Sequence, residues 1–585
     1  MSNNTDLKKW IFKDITQVLL CVSPFFTGIF HDFESGILAL VILIWIAVLA
    51  FKKGALRIPK TSLMLAMTVL VLIFPVSCLW AVDKGMTVIG FLKFLPLPLF
   101  LILRSQGVSG KNEKKPKKAD LKTEERTSFL LVPYAGAVMT ILSAAVGYTT
   151  SWGSRFLVQG RLGGFFEYPN TFACFLLVGM ALLLLKQKHS ATDLVLGLIL
   201  ACGIVLSGSR AVFVLFAALL VFYVFYQKNT RVRWITLGSG VLVVSAFVVV
   251  SIALGKQNTL ARFTTMSFRS STLLGRLLYY KDALPEILRN PLGLGYYGYH
   301  YKVQSFQTGV YDVVHVHNDL LQLLLDVGWV PAGVAVFAVV RRWIKLSVRL
   351  KVASGILVLH MLFDFDLQFV AMGLLLLAML TEEEETDPAW VFTGKSAWVA
   401  AVSGSLVLGA VTCILGCASF FSFCGKADLA LQFYPWLTSA KIEKLTAEEN
   451  LVRKAELADA VLDLNQQIPA ALDTKAQAAL VEGDVATMME YKKKAIWANP
   501  YRLWGYEDYI DMLWYAATTY EAAGDAGSAQ ACKDEMLKIP AWLERVKANT
   551  SSVAWEIYDK PELELPSEYQ LLLDSLRTAV EASSF

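Results

Sequence analysis

Long apolar runs separated by short polar segments fill the first 424 residues of the chain. A bilayer core of about 30 Å needs on the order of 20 apolar residues per helix, and runs of that size follow one another here. The chain is therefore predicted to be an all-α, polytopic membrane helix bundle. Ten spans are expected near residues 12–31, 36–51, 61–81, 86–104, 128–148, 169–186, 191–207, 210–227, 233–254 and 316–340.

One further apolar run, residues 352–380, carries Asp364 and Asp366 near its middle. An acid at the bilayer centre costs about 2.5 to 3.5 kcal/mol, so a break that brings both acids to the surface is favoured over one long span. Two short spans are predicted here. With a last span near 396–420, the bundle has about 12 to 13 spans.

Basic residues indicate which loops face the cytoplasm, because cytoplasmic loops retain Lys and Arg. They concentrate in alternate loops, which are residues 52–60, 111–126, 186–188, 228–233 and 341–351. The N-terminus is then cytoplasmic, and residues 152–170, 207–210 and the long loop 255–316 face outward. Thirteen spans place the C-terminal tail outside; without the break at 364–366 the tail is cytoplasmic.

Composition divides the chain into two parts. A hydrophobic content of 55%, only 18% charged residues and a mean hydropathy of +0.50 exclude a string of soluble domains. Residues 1–424 carry 38 basic and 23 acidic side chains, a net charge of +15, whereas residues 425–585 carry 16 and 26, a net charge of −10. We therefore expect a transmembrane domain (1–424) and a soluble helical tail (425–585). The eight cysteines show neither a metal-ligand spacing nor a disulfide framework.

The tail resembles a tetratricopeptide repeat over residues 476–506, with small residues at the helix contact and Gly483-Asp484 at the turn. A second copy follows at Gly524-Asp525, 41 residues later, which exceeds the 34-residue period of that repeat. Two unrelated helical hairpins are the alternative. In either case the tail is predicted to be a surface for a protein partner.

The clearest candidate for chemistry is His317, near the end of the long loop. Four of the six histidines lie between residues 300 and 360, and His317 precedes an apolar run that begins at Leu320. The pattern predicts that His317 lies in the first turn of a membrane helix, where a helix N-terminus favours a bound anion and a neutral imidazole. Such an imidazole can take a proton from a hydroxyl. The alternative is an N-cap residue that faces water.

Three arginines in the outward-facing segments are candidates for phosphate binding. Arg210 follows Ser207-Gly208-Ser209, Arg161 precedes a Gly-rich segment, and Arg276 follows Gly275. A guanidinium binds phosphate oxygens in a bidentate manner and stays charged, and neighbouring glycines let a bulky ligand approach. The alternative, strongest for Arg161, is a span-end arginine that reaches lipid headgroups.

These motifs, in this order, resemble the O-antigen ligase and polymerase superfamily over about residues 130–380. The resemblance rests on Arg161, Asn170, Ser207-Gly208-Ser209-Arg210, Gly275-Arg276, Asn290-Pro291-Leu292-Gly293-Leu294-Gly295 and His317-Asn318 followed by Gly328. Pro331 departs from the family pattern after Gly328. The resemblance implies that His317 is the catalytic residue and that two arginines, most naturally Arg210 and Arg276, bind pyrophosphate, with Arg161 as a third candidate.

The resemblance further implies a reaction at the outer face of the plasma (inner) membrane. A glycan would pass from undecaprenyl pyrophosphate to a hydroxyl of an acceptor glycan, lipid or protein, with no metal, cofactor or nucleic acid, in a protein surrounded by membrane lipids. His317 would act as the general base, and the arginines would neutralise charge on the leaving pyrophosphate.

Further candidate substrate contacts each have a structural alternative. Glu167 can orient a sugar hydroxyl or be a solvated loop carboxylate. Tyr299 can stack on a sugar ring or belong to an interfacial aromatic belt. Asp364 and Asp366 can contact the acceptor or form a hydrogen-bonded pair within the loop, which is the favoured interpretation. Asn170 and Asn318 complete the set.

Two other classes of function compete with glycan transfer. The first is an anion transporter or permease, which should show ionisable or Gly/Pro-broken spans at mid-membrane depth in both halves. No such pair of spans is evident in the sequence. The second is a membrane-anchored assembly scaffold that acts through its helical tail.

Overall fold

The computed structural model describes residues 15–106, 129, 131–186, 189–253, 271–382, 388–557 and 559–583. These residues are mostly helical, as predicted, because apolar segments in a bilayer must satisfy their backbone hydrogen bonds internally. The predicted basic loop 111–126 and the first part of the long loop, 255–270, lie outside the described residues.

The membrane part is a bundle of apolar helices. They are α1 (Ile15–Val22), α2 (Asp32–Lys53), α3 (Ser62–Ser77), α4 (Lys84–Phe94), α5 (Pro96–Ser105), α6 (Leu131–Thr149), the single turn α7 (Gly153–Phe156), α8 (Pro169–Leu184), α9 (Ala191–Ser207), α10 (Arg210–Tyr226) and α11 (Thr230–Ala253). Among the described residues, four helical segments are long and apolar enough to cross a membrane, namely Asp32–Lys53, Lys84–Ser105, Leu131–Thr149 and Lys395–Phe423. Shorter apolar helices pack between them, and together they indicate an integral membrane protein.

The second half of the chain continues with helices of the long loop, the last membrane helices and the tail. They are α12 (Ser271–Arg289), α13 (Gly298–Phe306), α14 (Asp319–Val327), α15 (Trp329–Trp343), α16 (Val348–Met361), α17 (Val370–Thr381), α18 (Lys395–Phe423), α19 (Ala427–Phe433), α20 (Thr438–Ala447), α21 (Leu451–Leu462), α22 (Pro469–Val481), α23 (Val485–Ala498), α24 (Trp504–Ala522), α25 (Ala526–Met536), α26 (Ile539–Asn549) and α27 (Ser567–Ser583).

Two short sheets hold loops together at the ends of the bundle. Strand β1 (Ala55–Pro59) pairs antiparallel with β4 (Ala389–Thr393), so two segments more than 300 residues apart in sequence lie side by side. Strands β2 (Leu157–Val158) and β3 (Arg161–Leu162) form a small hairpin just before α8. This hairpin presents Arg161 next to the first turn of α8.

The expected break between residues 352 and 380 is confirmed. Helix α16 ends at Met361, α17 begins at Val370, and Asp366–Gln368 form a short 3-10 helix between them. Both acids of this break, which we define as residues 362–369, are completely buried in protein. Their charges are therefore shielded from lipid by hydrogen-bonding neighbours.

The predicted span 316–340 is wrong as a single helix. It is divided at Gly328 into α14 and α15, and Gly328 has φ 79° and ψ −177°, a conformation that only glycine adopts readily. The loop 290–295 fills the break: Leu294 N–H donates to Leu325 O (2.5 Å), and Trp329 N–H donates to Pro291 O (2.9 Å). Carbonyls and amides left by the broken helix therefore find partners in this loop.

A side chain at Gly328 is expected to be strongly destabilising. A Cβ built there would lie 2.4 Å from Pro291 O, and the required φ is unfavourable for alanine. We expect Gly328→Ala to lower the free energy of unfolding by about 2 kcal/mol or more, seen as a lower melting temperature of the purified protein. The control is Gly333→Ala, in α15, where no described atom lies within 4 Å of the added Cβ. If both substitutions lowered the melting temperature equally, the close approach of the loop 290–295 to Gly328 would not be the cause of the destabilisation.

The described part of the long loop packs around its own small hydrophobic core. Leu278, Tyr299 and Val303 lie at its centre, and Ala554 of the tail belongs to the same core. Hydrogen bonds reinforce this contact, since Ser551 N–H donates to Thr308 O at 2.9 Å. The tail and the long loop are thus in direct contact.

The tail also packs on the membrane bundle at Asp83, a buried residue that caps α4. Asp83 accepts hydrogen bonds from Thr438 Oγ1 (2.8 Å) and Asn465 Nδ2 (2.9 Å) of the tail. The main hydrophobic core continues without interruption from the bundle into α19 and α20, as far as Ala440.

Two helical hairpins are present where the sequence resembles a repeat. Gly483 and Gly524 both adopt a left-handed φ, and Asp484 and Asp525 cap the next helix by accepting from Thr487 N–H and Ser528 N–H. The two turns therefore have the same local structure. Membership of the tetratricopeptide class stays a prediction.

Candidate active site

A buried carboxylate, Asp364, joins residues from three distant parts of the chain. Its Oδ1 accepts a hydrogen bond from Tyr168 OH at 2.8 Å and lies 3.2 Å from His317 Nδ1. Its Oδ2 accepts from Asn170 Nδ2 at 2.8 Å and from Arg276 Nη2 at 3.0 Å. We refer to these five residues as the Asp364 cluster. The side chain of Asp364 is fully buried, whereas that of His317 is 21% exposed.

The residues of the Asp364 cluster lie at the ends of membrane helices or in the segments that connect them, and not in the middle of a membrane span. Tyr168 is the N-cap of α8 and Asn170 lies in its first turn, while Arg276 is on α12 of the long loop. Asp364 lies in the 362–369 break, outside the spanning helices. The cluster is therefore built from the end of the bundle at which the long loop and the tail meet.

The expectation that His317 lies inside the first turn of a helix is wrong. Helix α14 begins at Asp319, and Asn318 is its N-cap, with Oδ1 accepting from Leu320 N–H and Leu321 N–H at 3.0 Å each. Because Asn318 fills the helix N-terminus, His317 lies one residue outside the cap, with a left-handed φ of 55°. Tyr280 OH holds this backbone by donating to His317 O at 2.6 Å.

The contact with Asp364 defines which nitrogen of His317 is basic. A carboxylate only accepts hydrogen bonds, so Nδ1 carries the proton at this contact and Nε2 keeps its lone pair. A carboxylate that orients an imidazole in this way prepares it to accept a proton and stabilises the imidazolium that results. Such an arrangement can serve as a general base with an orienting acid.

The charges within the cluster support one another. Burial alone would raise the pKa of Asp364, but the charge of Arg276 and the hydrogen bond from His317 outweigh burial and hold this pKa well below its usual value. Burial, and then the charge of Asp364, raise the pKa of Tyr168 well above its usual value. Asp364 is thus a carboxylate and Tyr168 a neutral donor at neutral pH.

A second arginine reaches the cluster through Asn170. Arg161 Nη2 donates to Asn170 Oδ1 at 2.6 Å, and Arg161 Nε donates to Ser207 O at 2.8 Å. The Arg161 side chain also lies beside Gly208, which has a left-handed φ of 60°. Arg210, half-buried at the first residue of α10, is two residues beyond Gly208. The turn that carries Arg210 therefore lies next to Arg161.

A separate buried group lies behind the cluster. Asp366 accepts from Thr171 Oγ1 at 2.7 Å and lies 2.5 Å from His360 Nδ1. Ligand atoms of Cys174, His360 and Asp366 lie within 4.8 Å of one another, so these three residues have a geometry that could hold a metal ion. The hydrogen bonds of Asp366 equally serve to fix the break against the first turn of α8.

The remaining predicted residues lie apart from Asp364. Glu167 forms an ion pair with Arg155 (2.7 Å) in which both side chains are exposed, which favours the solvated interpretation. Tyr299 is fully buried in the core of the long loop, so the structure favours neither the sugar-stacking nor the interfacial-belt interpretation. Asn318 supports the site through its cap and by donating to Leu362 O at 2.9 Å.

Sequence reasoning missed Tyr168 and Tyr280 and underrated Asp364. A usable signal was present: residues 168–171 and 364–366 are both polar segments flanked by apolar helices. Polar groups at the mouths of adjacent spans are expected to satisfy one another when they are buried.

Part of the chain matches a known protein family. Residues 195–338, about a quarter of the chain, match a family model described as O-antigen ligase. The matched segment contains Arg210, Arg276 and His317. No curated protein and no solved structure matches the chain. The match supports the O-antigen ligase superfamily, with ligase- or polymerase-type glycan transfer in general and lipid-linked glycans as the class of substrate.

Proposed function

We propose that this protein transfers a glycan from undecaprenyl pyrophosphate to an acceptor hydroxyl at the Asp364 cluster. One observation supports this proposal most directly: His317 and Arg276 both contact the buried carboxylate of Asp364. His317 and Arg276 lie within the segment that matches O-antigen ligase, and Asp364 follows that segment in the sequence. A base and a phosphate-binding cation at one place are what this transfer requires.

His317 acts as the base in this proposal. As the acceptor oxygen forms a bond to the anomeric carbon of the donor, its proton passes to Nε2 of His317. The bond between the anomeric carbon and the pyrophosphate oxygen breaks, and its electron pair leaves with the pyrophosphate. Asp364 stabilises the imidazolium until the proton is released to solvent.

Cations on one side of Asp364 supply the binding site for the leaving group. Arg276 and Arg161 approach Asp364 directly and through Asn170, and the turn bearing Arg210 lies beside Arg161. Two guanidiniums, those of Arg276 and Arg161, reach one carboxylate and leave an excess of positive charge, which suits a diphosphate. These arginines stabilise the negative charge that grows on the pyrophosphate as the glycosidic bond breaks.

We further propose that the cluster and the tail lie outside the cytoplasm. The tail contacts both the long loop and the Asp83 end of the bundle, so all three belong to one side of the membrane. The positive-inside distribution of the loops then assigns that side to the exterior. This is the face at which a lipid-linked glycan is available to a surface acceptor.

The proposed chemistry needs no metal ion, and a chelator provides the test. Purified full-length protein is incubated with undecaprenyl-pyrophosphate-linked glycan and acceptor, with and without EDTA, and the transfer product and free undecaprenyl pyrophosphate are measured. We expect equal product in both samples, because guanidiniums replace a metal as the source of positive charge.

Three outcomes would contradict the proposal. Activity that EDTA removes and a divalent cation restores would refute metal independence and draw attention to Cys174, His360 and Asp366. Uptake of an anion into proteoliposomes without glycan transfer would favour a transporter. Normal assembly of partner proteins without either activity would favour a scaffold.

A further inference from the structure

A cavity lies close to the Asp364 cluster but is not part of it. Its volume is about 310 Å³, and it lies between α2, α4, the long loop and the end of α18. This is at the lower end of the size range of cavities that bind small molecules, which is roughly 300 to 1,000 Å³.

The lining of the cavity combines aromatic rings with buried nitrogen atoms that have no hydrogen-bond partner among the described residues. Aromatic rings from Phe30, Tyr296 and Tyr297 form much of its wall. His315 is about nine-tenths buried, lines the cavity, and its Nδ1 has no hydrogen-bond partner among the described residues. The same holds for Nδ1 of the half-buried His300. A buried polar atom without a partner is costly, so a ligand with hydroxyl groups would be favoured here.

The ionic groups of the cavity are already neutralised. Lys93 donates to Phe30 O and lies 3.9 Å from Asp32, and Asp32 also accepts from Tyr296 OH at 2.8 Å. Burial, together with the nearby charge of Lys93, lowers the pKa of His315 well below its usual value, so this ring is neutral. The cavity therefore lacks the surplus of positive charge that a diphosphate requires, and its polar atoms do not suit a lipid chain.

One aromatic ring separates the cavity from the proposed base. The ring centroid of Phe365 lies 5.2 Å from that of His315 and 4.9 Å from that of His317. The arginines, in contrast, reach Asp364 from the side of α8 and α12. Two different environments thus flank the break: one cationic, one neutral and aromatic.

The tail completes this cavity. Ser419, Ser422 and Phe423 at the end of α18, with Leu437 and Ser439 from the start of the tail, form one of its walls. Ser422 and Ser439 are hydrogen-bonded to each other at 3.2 Å, which closes the wall between membrane helix and tail.

We infer that this cavity is the subsite for a carbohydrate acceptor, so that the hydroxyl activated by His317 belongs to a sugar. Sugar rings have apolar faces that pack on aromatic side chains and hydroxyls that both donate and accept hydrogen bonds. The inference rests on the proposed function for the role of His317, whereas the binding of sugar to the cavity does not depend on it.

The test compares full-length protein with His300→Ala and Ser422→Trp variants, and with His189→Ala as a control far from the cavity. The probe is an oligosaccharide released by mild acid from the surface polysaccharide of the native cells, because the product of the transfer contains the acceptor sugars. Its binding is measured by saturation-transfer NMR and titration, and the KM values for donor and acceptor are measured in the transfer assay. We expect binding at least 10-fold weaker in both cavity variants, an acceptor KM at least 10-fold higher, and an unchanged donor KM.

The possible outcomes distinguish a failure of the acceptor subsite from a failure of the proposed glycan transfer. Absent binding to the unaltered protein, equal binding to all four proteins, a change confined to the donor KM, or transfer to a protein side chain would overturn the subsite. Binding that follows the expected order in a protein that transfers no glycan would instead refute the proposed function and leave the subsite supported.

Discussion

Replacement of His317 by alanine is expected to lower the rate of glycan transfer by about 100- to 10,000-fold, the usual contribution of a general base. Nε2 is the only atom of this side chain left to accept the acceptor proton, since Nδ1 faces Asp364. The protein should still reach the membrane in normal amount, because His317 lies outside α14 and the cap of that helix is provided by Asn318.

A matched control for this substitution is His189→Ala. His189 is an exposed histidine near the start of α9, whereas the end of α9 at Ser207 contacts Arg161. At about 1.5 Å per residue, the 17 residues of α9 separate the two ends by roughly 25 Å. Unchanged glycan output from the His317→Ala protein would refute its role as the base.

The largest combined effect is expected at Asp364. Asp364→Asn keeps the shape of the side chain but presents an amide to a set of donors that require acceptors. We expect transfer to fall at least about 100-fold, because His317 loses the partner that selects its tautomer. Asp364→Ala is expected to cost about 3 to 5 kcal/mol of stability as well, because it leaves Arg276 buried without its carboxylate.

The control here is Asp193→Asn, at the other end of α9. Asp193 is a buried carboxylate in an ion pair with Lys186 (2.6 Å), so its loss tests stability without touching the cluster. Melting temperature and transfer rate are measured for all variants. Equal loss of activity in the Asp193 and Asp364 variants at equal melting temperature would show that Asp364 has no special part in the reaction.

Sequence alone predicted the features that the bilayer enforces. Long apolar segments must be helical, and two acids inside one of them must lie at a break, so the 362–369 break could be expected from cost alone. The break at Gly328 could not, because it depends on the loop 290–295 approaching closely enough to complete the backbone hydrogen bonds of α14. A hydrophobic pattern contains no information about such an approach.

The sequence also does not reveal which distant side chains meet in the Asp364 cluster. His317 and Arg276 were identified from residue type and position, since these features follow from local sequence. That both meet on Asp364, and that Asn170 donates to the same Oδ2 as Arg276, depends on how α8, α12 and the break pack together. The sequence interpretation accordingly treated Asp364 as one of several possible contacts.

The attachment of the tail at Asp83 has a practical consequence. Hydropathy suggests cutting the chain at residue 424 to obtain a smaller protein for study, yet such a cut would deprive a buried aspartate of Thr438 and Asn465. It would also expose the backbone at Gly85, which is packed under the carbonyl of Trp436. A shortened protein that retained every transmembrane segment would therefore lack the tail contacts of Asp83 and Gly85. If that protein were inactive, the loss could come from this damaged contact and would not identify any residue as catalytic.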